Sequence, residues 1–149
     1  MYKRKTNKYF SNVARNFSWL NKMIEQAEKQ KRYYEAALLQ FSLVELLLRI
    51  LIMYQLIADG RAQSEALELV NEEKVSLLDL MNYADLVTHV ADQNFLRSIR
   101  IYNAQRNRIV HDILHYKNSR SFLKDAKDNF LRGQSLEKVL VKKIVKIKE

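Results

Sequence analysis

The chain has 149 residues, the length of one ordinary domain. It has no proline, no cysteine and only two glycines, Gly60 and Gly133. Sandwiches and barrels need turn residues about every 8–12 positions, and glycine-rich phosphate loops need clustered glycines, so both are excluded. Disulfides, thiolate metal sites and a cysteine nucleophile are excluded too. The formal net charge of +9 is unevenly spread. Residues 1–32 carry net +7, residues 33–116 net −4, and residues 117–149 net +6. Two basic ends flanking an apolar middle point to a polyanionic partner such as nucleic acid or acidic lipid.

The predicted class is all-α: a single domain over residues 1–149, built as an antiparallel bundle of five to six helices with a basic leader and a basic tail. After the leader, a first helix is expected from Ser11 or Asn12, with Val13, Phe17, Leu20, Ile24 and Ala27 as its inner stripe. A second helix is expected from Arg32 to Ala58, stopped by Asp59-Gly60. It is apolar on nearly every side between Leu38 and Ile52, which predicts cover from a second copy of the chain. Its apolar run from Leu43 to Ala58 is interrupted by Glu45, Arg49 and Gln55, and reads as too short and too charged for a membrane span. With no apolar leader, the expectation is a soluble, cytoplasmic protein that does not engage a membrane.

A short helix is expected from Ser64 to Asn71, and another from Leu77 to Val87 with Ser76 as its cap. A long helix from Gln93 to Tyr116 follows Asp92, its expected cap. Lys117-Asn118-Ser119 reads as a break. A helix near Ser121–Leu131 is expected to end at Gly133, with a last helix in the basic tail after Ser135.

The informative segment is Arg106-Asn107-Arg108-Ile109-Val110-His111. On an ideal wheel of roughly 100° per residue, Arg106 points out of the middle of an apolar face. That face is made by Phe95, Ile99, Tyr102, Ile109, Val110 and Ile113. Asn107, His111 and His115 recur at four-residue intervals along its edge, and Arg100 extends the polar ridge. An arginine there needs a partner, because guanidinium stays charged. Two explanations compete. Arg106 pairs with a carboxylate such as Glu45 on the second helix, although Glu45 can instead pair with Arg49 in its own helix. Alternatively, the bundle opens at this point and Arg106 clamps a phosphate.

The segment resembles the signature of the HEPN family, the higher-eukaryote and prokaryote nucleotide-binding helical domains. That signature is an arginine, a following polar residue that is often asparagine, and a histidine a few residues on. Arg106, Asn107 and His111 fit it, and Ile109-Val110 supply the aliphatic pair before the histidine. Arg108 and His115 make a second, looser match. The resemblance implies a metal-independent, cofactor-free endoribonuclease acting on single-stranded RNA at a homodimer cleft. It also implies a toxin or defence role with a nucleotidyltransferase-type antitoxin. Some relatives carry a tyrosine two residues after the histidine for that antitoxin, and here the position is Ile113. Catalytically silent members of the family serve as nucleotide-, RNA- or protein-binding modules.

The chemistry fits these residue types. RNA cleavage through its own 2′-hydroxyl needs proton transfer and charge stabilisation on phosphate. His111 titrates near neutrality, and an arginine offers parallel donors to phosphate oxygens. One His111 per chain supplies one proton-transfer group, and a two-fold dimer supplies two. Asn107 would hold the imidazole or the phosphate. Arg108, His115 and Glu45 are auxiliary candidates, and Arg100 and Lys117 are candidate RNA contacts.

Overall fold

In a computed structural model, residues 2–71, 79, 82 and 93–148 are described. Among them the chain forms α1 (Tyr2–Lys29), α2 (Tyr33–Ala58), α3 (Gln63–Asn71), α4 (Gln93–His111) and α5 (Ser119–Lys148), with a 3-10 turn at Ile113–His115. The all-α bundle is as the periodicity predicts. The expected helix at Leu77–Val87 lies outside the described residues except for Asp79 and Asn82, as do Ser76 and Asp92.

α2 is the centre of the molecule. α1, α3 and α5 all pack on it. Leu43, Val44, Leu48, Leu51, Ile52 and Met53 are fully buried. Each such side chain contributes about 1.5–3 kcal/mol through its removal from water. Much of the apolar girth of α2 is therefore covered within one chain, while Leu38 and Leu46 are half-buried. The whole helix, at 26 residues, has the length and composition of a membrane span, longer than the apolar run considered above. In the bundle most of that surface faces protein.

α1 reaches back to Tyr2 and absorbs the expected leader. Its inner stripe is as predicted, with Leu20, Ile24 and Ala27 buried. The chain then reverses through a tight cap. The amide of Arg32 donates to Ala27 O at 2.8 Å and that of Lys31 to Glu28 O at 2.9 Å. This six-to-one and five-to-two pattern needs a left-handed residue, and Lys31 takes it at φ 56°. A lysine there carries a Cβ penalty that glycine lacks. Lys31→Gly is expected to stabilise the fold by about 1 kcal/mol, after the added freedom of the unfolded chain is subtracted. Thermal melts check this, and a lower midpoint for the variant contradicts it. α2 closes with the same motif. Arg61 N–H donates to Leu56 O and Gly60 N–H to Ile57 O, both at 3.0 Å, with Gly60 at φ 98°. The predicted stop at Asp59-Gly60 is thus correct.

α5 departs most from expectation. Gly133 does not end a helix, and Ser119–Lys148 is one helix of 30 residues. Its amino end is capped by Asn118, whose Oδ1 accepts the Ser121 amide at 2.8 Å. Gly133 serves packing instead. A Cβ there would lie 2.6 Å from Gln40 Cγ and 2.8 Å from the Tyr102 hydroxyl. The hydrogen side chain lets α5 approach both α2 and α4. The expected basic tail is likewise no appendage, because Leu136, Leu140 and Ile144 belong to the core.

Contacts along α5 give the helix directions. Tyr34 meets Phe122 near the start of both helices, and Gln40 meets Glu137 further on, so α2 and α5 run parallel. α4 runs against them, with its early Phe95 under Lys143 and its later Tyr102 carbonyl bonded by Asn129. This parallel pair refines the predicted antiparallel arrangement.

Candidate functional site

Arg106 interrupts the buried row Phe95, Ile99, Tyr102, Ile109 on α4. Its guanidinium lies over the Phe41 ring of α2, with Cζ 4.3 Å from the ring centroid. Nη1 donates to Asn107 Oδ1 at 3.3 Å, and buried Nε has no hydrogen-bond partner among the described residues. The flat cation therefore sits on a ring face, which attracts it electrostatically. This differs from both sequence readings. Glu45 does not pair with Arg106; it pairs with Arg49 at 2.8 Å, and Arg49 also donates to the Val70 carbonyl. Nor does Arg106 stand open in a cleft. Phe41 is the residue that sequence reasoning missed, because an aromatic on a core helix carries no mark of a cation partner.

One turn earlier on α4, the Tyr102 hydroxyl is buried without a hydrogen-bond partner among the described residues. Burial pushes its pKa far up, and the nearby Arg106 charge only partly opposes this. The surrounding polar groups come from three helices. Gln40 donates to Glu137 at 2.9 Å, and Asn129 donates to the Tyr102 carbonyl and to Gln105 Oε1, each at 3.2 Å.

The exposed edge of α4 lies beside this interior. Asn107, Arg108 and His111 are exposed, and with Ala104 and Asp112 they line an open depression of about 570 Å³. An adjoining depression of about 240 Å³ is lined by Arg108, Asp112, His115 and Tyr116. The two share Arg108 and Asp112. Four of the predicted residues, Asn107, Arg108, His111 and His115, are thus brought to one edge. Arg106 reaches that edge only through Asn107. Arg100 and Lys117 are exposed but line neither depression, and Glu45 is occupied elsewhere. Asp112 was not singled out from sequence, although it directly follows His111.

α4 stops at His111, short of the expected Tyr116. His115 therefore lies on the 3-10 turn and does not continue the helical row of Asn107 and His111. Aromatic contacts hold this turn. Tyr116 meets Phe122 edge-on at 5.4 Å, Phe122 meets Tyr34 at 5.2 Å, and the Tyr116 hydroxyl donates to Asp125 Oδ2 at 2.7 Å. Burial and the bond to Asp125 raise the Tyr116 pKa to about 12. The neutral phenol is thus the form that stabilises the fold. That contribution is whole below the unfolded value near 10 and is lost as pH rises through about 12. Tyr116→Phe is expected to cost about 1 kcal/mol at neutral pH. The variant should also lose stability less steeply than the parent between pH 10 and 12. Equal slopes in alkaline denaturation would remove this role from Tyr116.

Leu114 projects from the same turn at 93% exposure, beside Ile113. Among the described residues no group of three or more His, Asp or Glu side chains is gathered to hold a metal ion. No protein-family model, no curated protein and no solved structure matches the chain.

Proposed function

We propose that this chain binds single-stranded RNA and cleaves it, without metal, at the edge formed by Asn107, Arg108 and His111. The observation that carries the proposal is their shared lining of one open depression on an exposed helix edge. His111 takes the proton from the 2′-hydroxyl or gives one to the leaving oxygen. Arg108, exposed where the two depressions join, clamps the phosphate. Arg106 is a positioning residue that acts through its hydrogen bond to Asn107. The resemblance to HEPN domains supports Asn107 and His111 as site residues, while the clamping part expected of Arg106 falls here to Arg108.

Two proton-transfer groups are needed, and a homodimer that joins two His111 side chains supplies them. His115, across Arg108, is the alternative within one chain. Activity that survives His115→Ala, with a mass near twice 17.7 kDa by light scattering, favours the dimer. A cytoplasmic toxin or defence role, with a nucleotidyltransferase-type antitoxin, belongs to this proposal. The direct test is incubation with single-stranded RNA in the presence of chelator. RNA that is bound but never cut rejects the enzyme and leaves a silent RNA-, nucleotide- or protein-binding module. The inward turn of Arg106 onto Phe41 is what favours that second reading.

A further inference from the structure

α5 has one face built for the core and one built for something else. Ala126, Phe130, Leu136, Leu140 and Ile144 are buried. On the opposite side Arg120, Lys124, Lys127, Lys138, Lys142 and Lys146 are all exposed. At roughly 100° per residue these six fall within roughly 60° of one line along the helix. They form two clusters of three, and the whole row is about 39 Å long at 1.5 Å per residue.

The helix's carboxylates do not balance this row. Asp125 accepts from Tyr116 on the turn after α4, and Glu137 accepts from Gln40 on α2, so both are drawn away from the row. Asp128 stands at the border of the row and is half-buried. Among the described residues none of the six cations takes part in an ion pair. Lys127 also lies over the Tyr33 ring, 5.2 Å from its centroid; a row of six cations without paired carboxylates repels itself and is relieved by a linear polyanion. The row starts at Arg120, just after Lys117 and Tyr116, and so begins beside the α4 edge.

We infer that the outer face of α5 is a rail for the phosphate backbone of a polynucleotide strand. Charge complementarity and shape select this occupant. A membrane surface would demand a free apolar face, and that of α5 is spent on the core. The exposed aliphatic side chains, Leu123, Leu131, Val139, Val141 and Val145, stand among the cations, and none is aromatic. A strand bound by a straight cationic row is held by its charge, so the binding carries little sequence preference. The inference shares the RNA partner of the proposed function but does not require cleavage.

The test uses the full chain and a fluorescent 2′-O-methyl-uridine 20-mer, followed by anisotropy across a salt series. This strand lacks the 2′-hydroxyl nucleophile, so binding is read apart from cleavage. The ridge variant is Lys138→Gln with Lys142→Gln and Lys146→Gln, which keeps helix propensity at exposed positions. The control is Lys22→Gln with Lys29→Gln and Lys31→Gln, an equal charge change at exposed positions of α1 and the turn that follows it. The ridge variant is expected to lower the slope of log affinity against log salt by about 2, from three lost phosphate contacts at about 0.7 each. It should also weaken binding at least tenfold near 0.1 M salt, while the control keeps the parental slope. Equal loss in both variants, or an unchanged ridge slope, overturns the inference. Binding to phosphatidylserine vesicles with none to the strand does so as well. If the strand binds as expected and unmodified RNA is never cut, the rail stands and the catalytic proposal falls.

Discussion

His111→Ala is expected to reduce RNA cleavage to near background while leaving both the fold and the RNA affinity close to those of the parent. His111 is exposed at the last residue of α4, so its removal opens no cavity. Positioned acid–base groups contribute on the order of 10²–10⁴-fold each, and two-fold symmetry would remove two at once. Arg106→Ala is expected to behave differently. It strips the cation from the Phe41 ring and frees Asn107, and no carboxylate is abandoned, because Glu45 already has Arg49. The stability cost is therefore about 1–2 kcal/mol, the worth of a partly desolvated cation–π contact, and not the roughly 3–5 kcal/mol of a broken buried ion pair. Its cleavage rate should fall by less than that of His111→Ala. Arg106→Lys should recover stability but not rate, since a lysine cannot lie flat on the ring and reach Asn107 as a guanidinium does. Thermal melts run beside the cleavage assay decide the matter. A fully active His111→Ala chain ends the catalytic reading.

Replacing Gly133 should unsettle the fold more than any surface change. In an isolated helix, glycine to alanine gains about 1 kcal/mol. Here the new Cβ would meet Gln40 Cγ at 2.6 Å and the Tyr102 hydroxyl at 2.8 Å. Both belong to buried side chains wedged between helices, which cannot simply swing into solvent. Overpacking of this kind costs about 1–3 kcal/mol, and occasionally more. Gly133→Ala should therefore be destabilised by about 1 kcal/mol or more despite its better propensity, and Gly133→Val by about 3 kcal/mol or more. Tyr102→Phe removes one of the two clashing atoms. It also removes a buried hydroxyl that has no partner among the described residues. Alone it should be neutral or mildly stabilising. Combined with Gly133→Ala it should recover part of the loss, a coupling that a double-mutant cycle measures. A more stable Gly133→Ala chain would show that α5 does not approach α2 and α4 so closely.

The sequence was most legible where a signal was local. The stripe Leu20, Ile24, Ala27 and the stop at Asp59-Gly60 depend on spacing and turn chemistry within one helix, and both are as read. The gathering of Asn107 and His111 on one edge follows from helical period alone. The signals that misled were local signs with non-local causes. Gly133 looked like a helix end because glycine usually is one; here it is a space for two other helices. The apolar girth of α2 is a different case: it predicted cover from a second copy, and most of it packs on the chain's own helices. A helix surrounded by its own domain has the same composition as one surrounded by copies.

From the order of residues alone come the all-α class, the absence of any glycine loop or thiol chemistry, the basic ends, and a polar edge carrying Asn107 and His111. These rest on composition and on the 3.6-residue period, which need no partner to be expressed. Tertiary structure alone decided the rest. It put Phe41 under Arg106, gave Glu45 to Arg49, and brought His115 back beside Arg108 on a turn held by Tyr116 and Phe122. It also turned the basic tail into half of a core helix, with its cations left in one row outside. A charged side chain's partner depends on which helices touch and in which direction they run. That is set by how whole faces pack, a property no single segment contains.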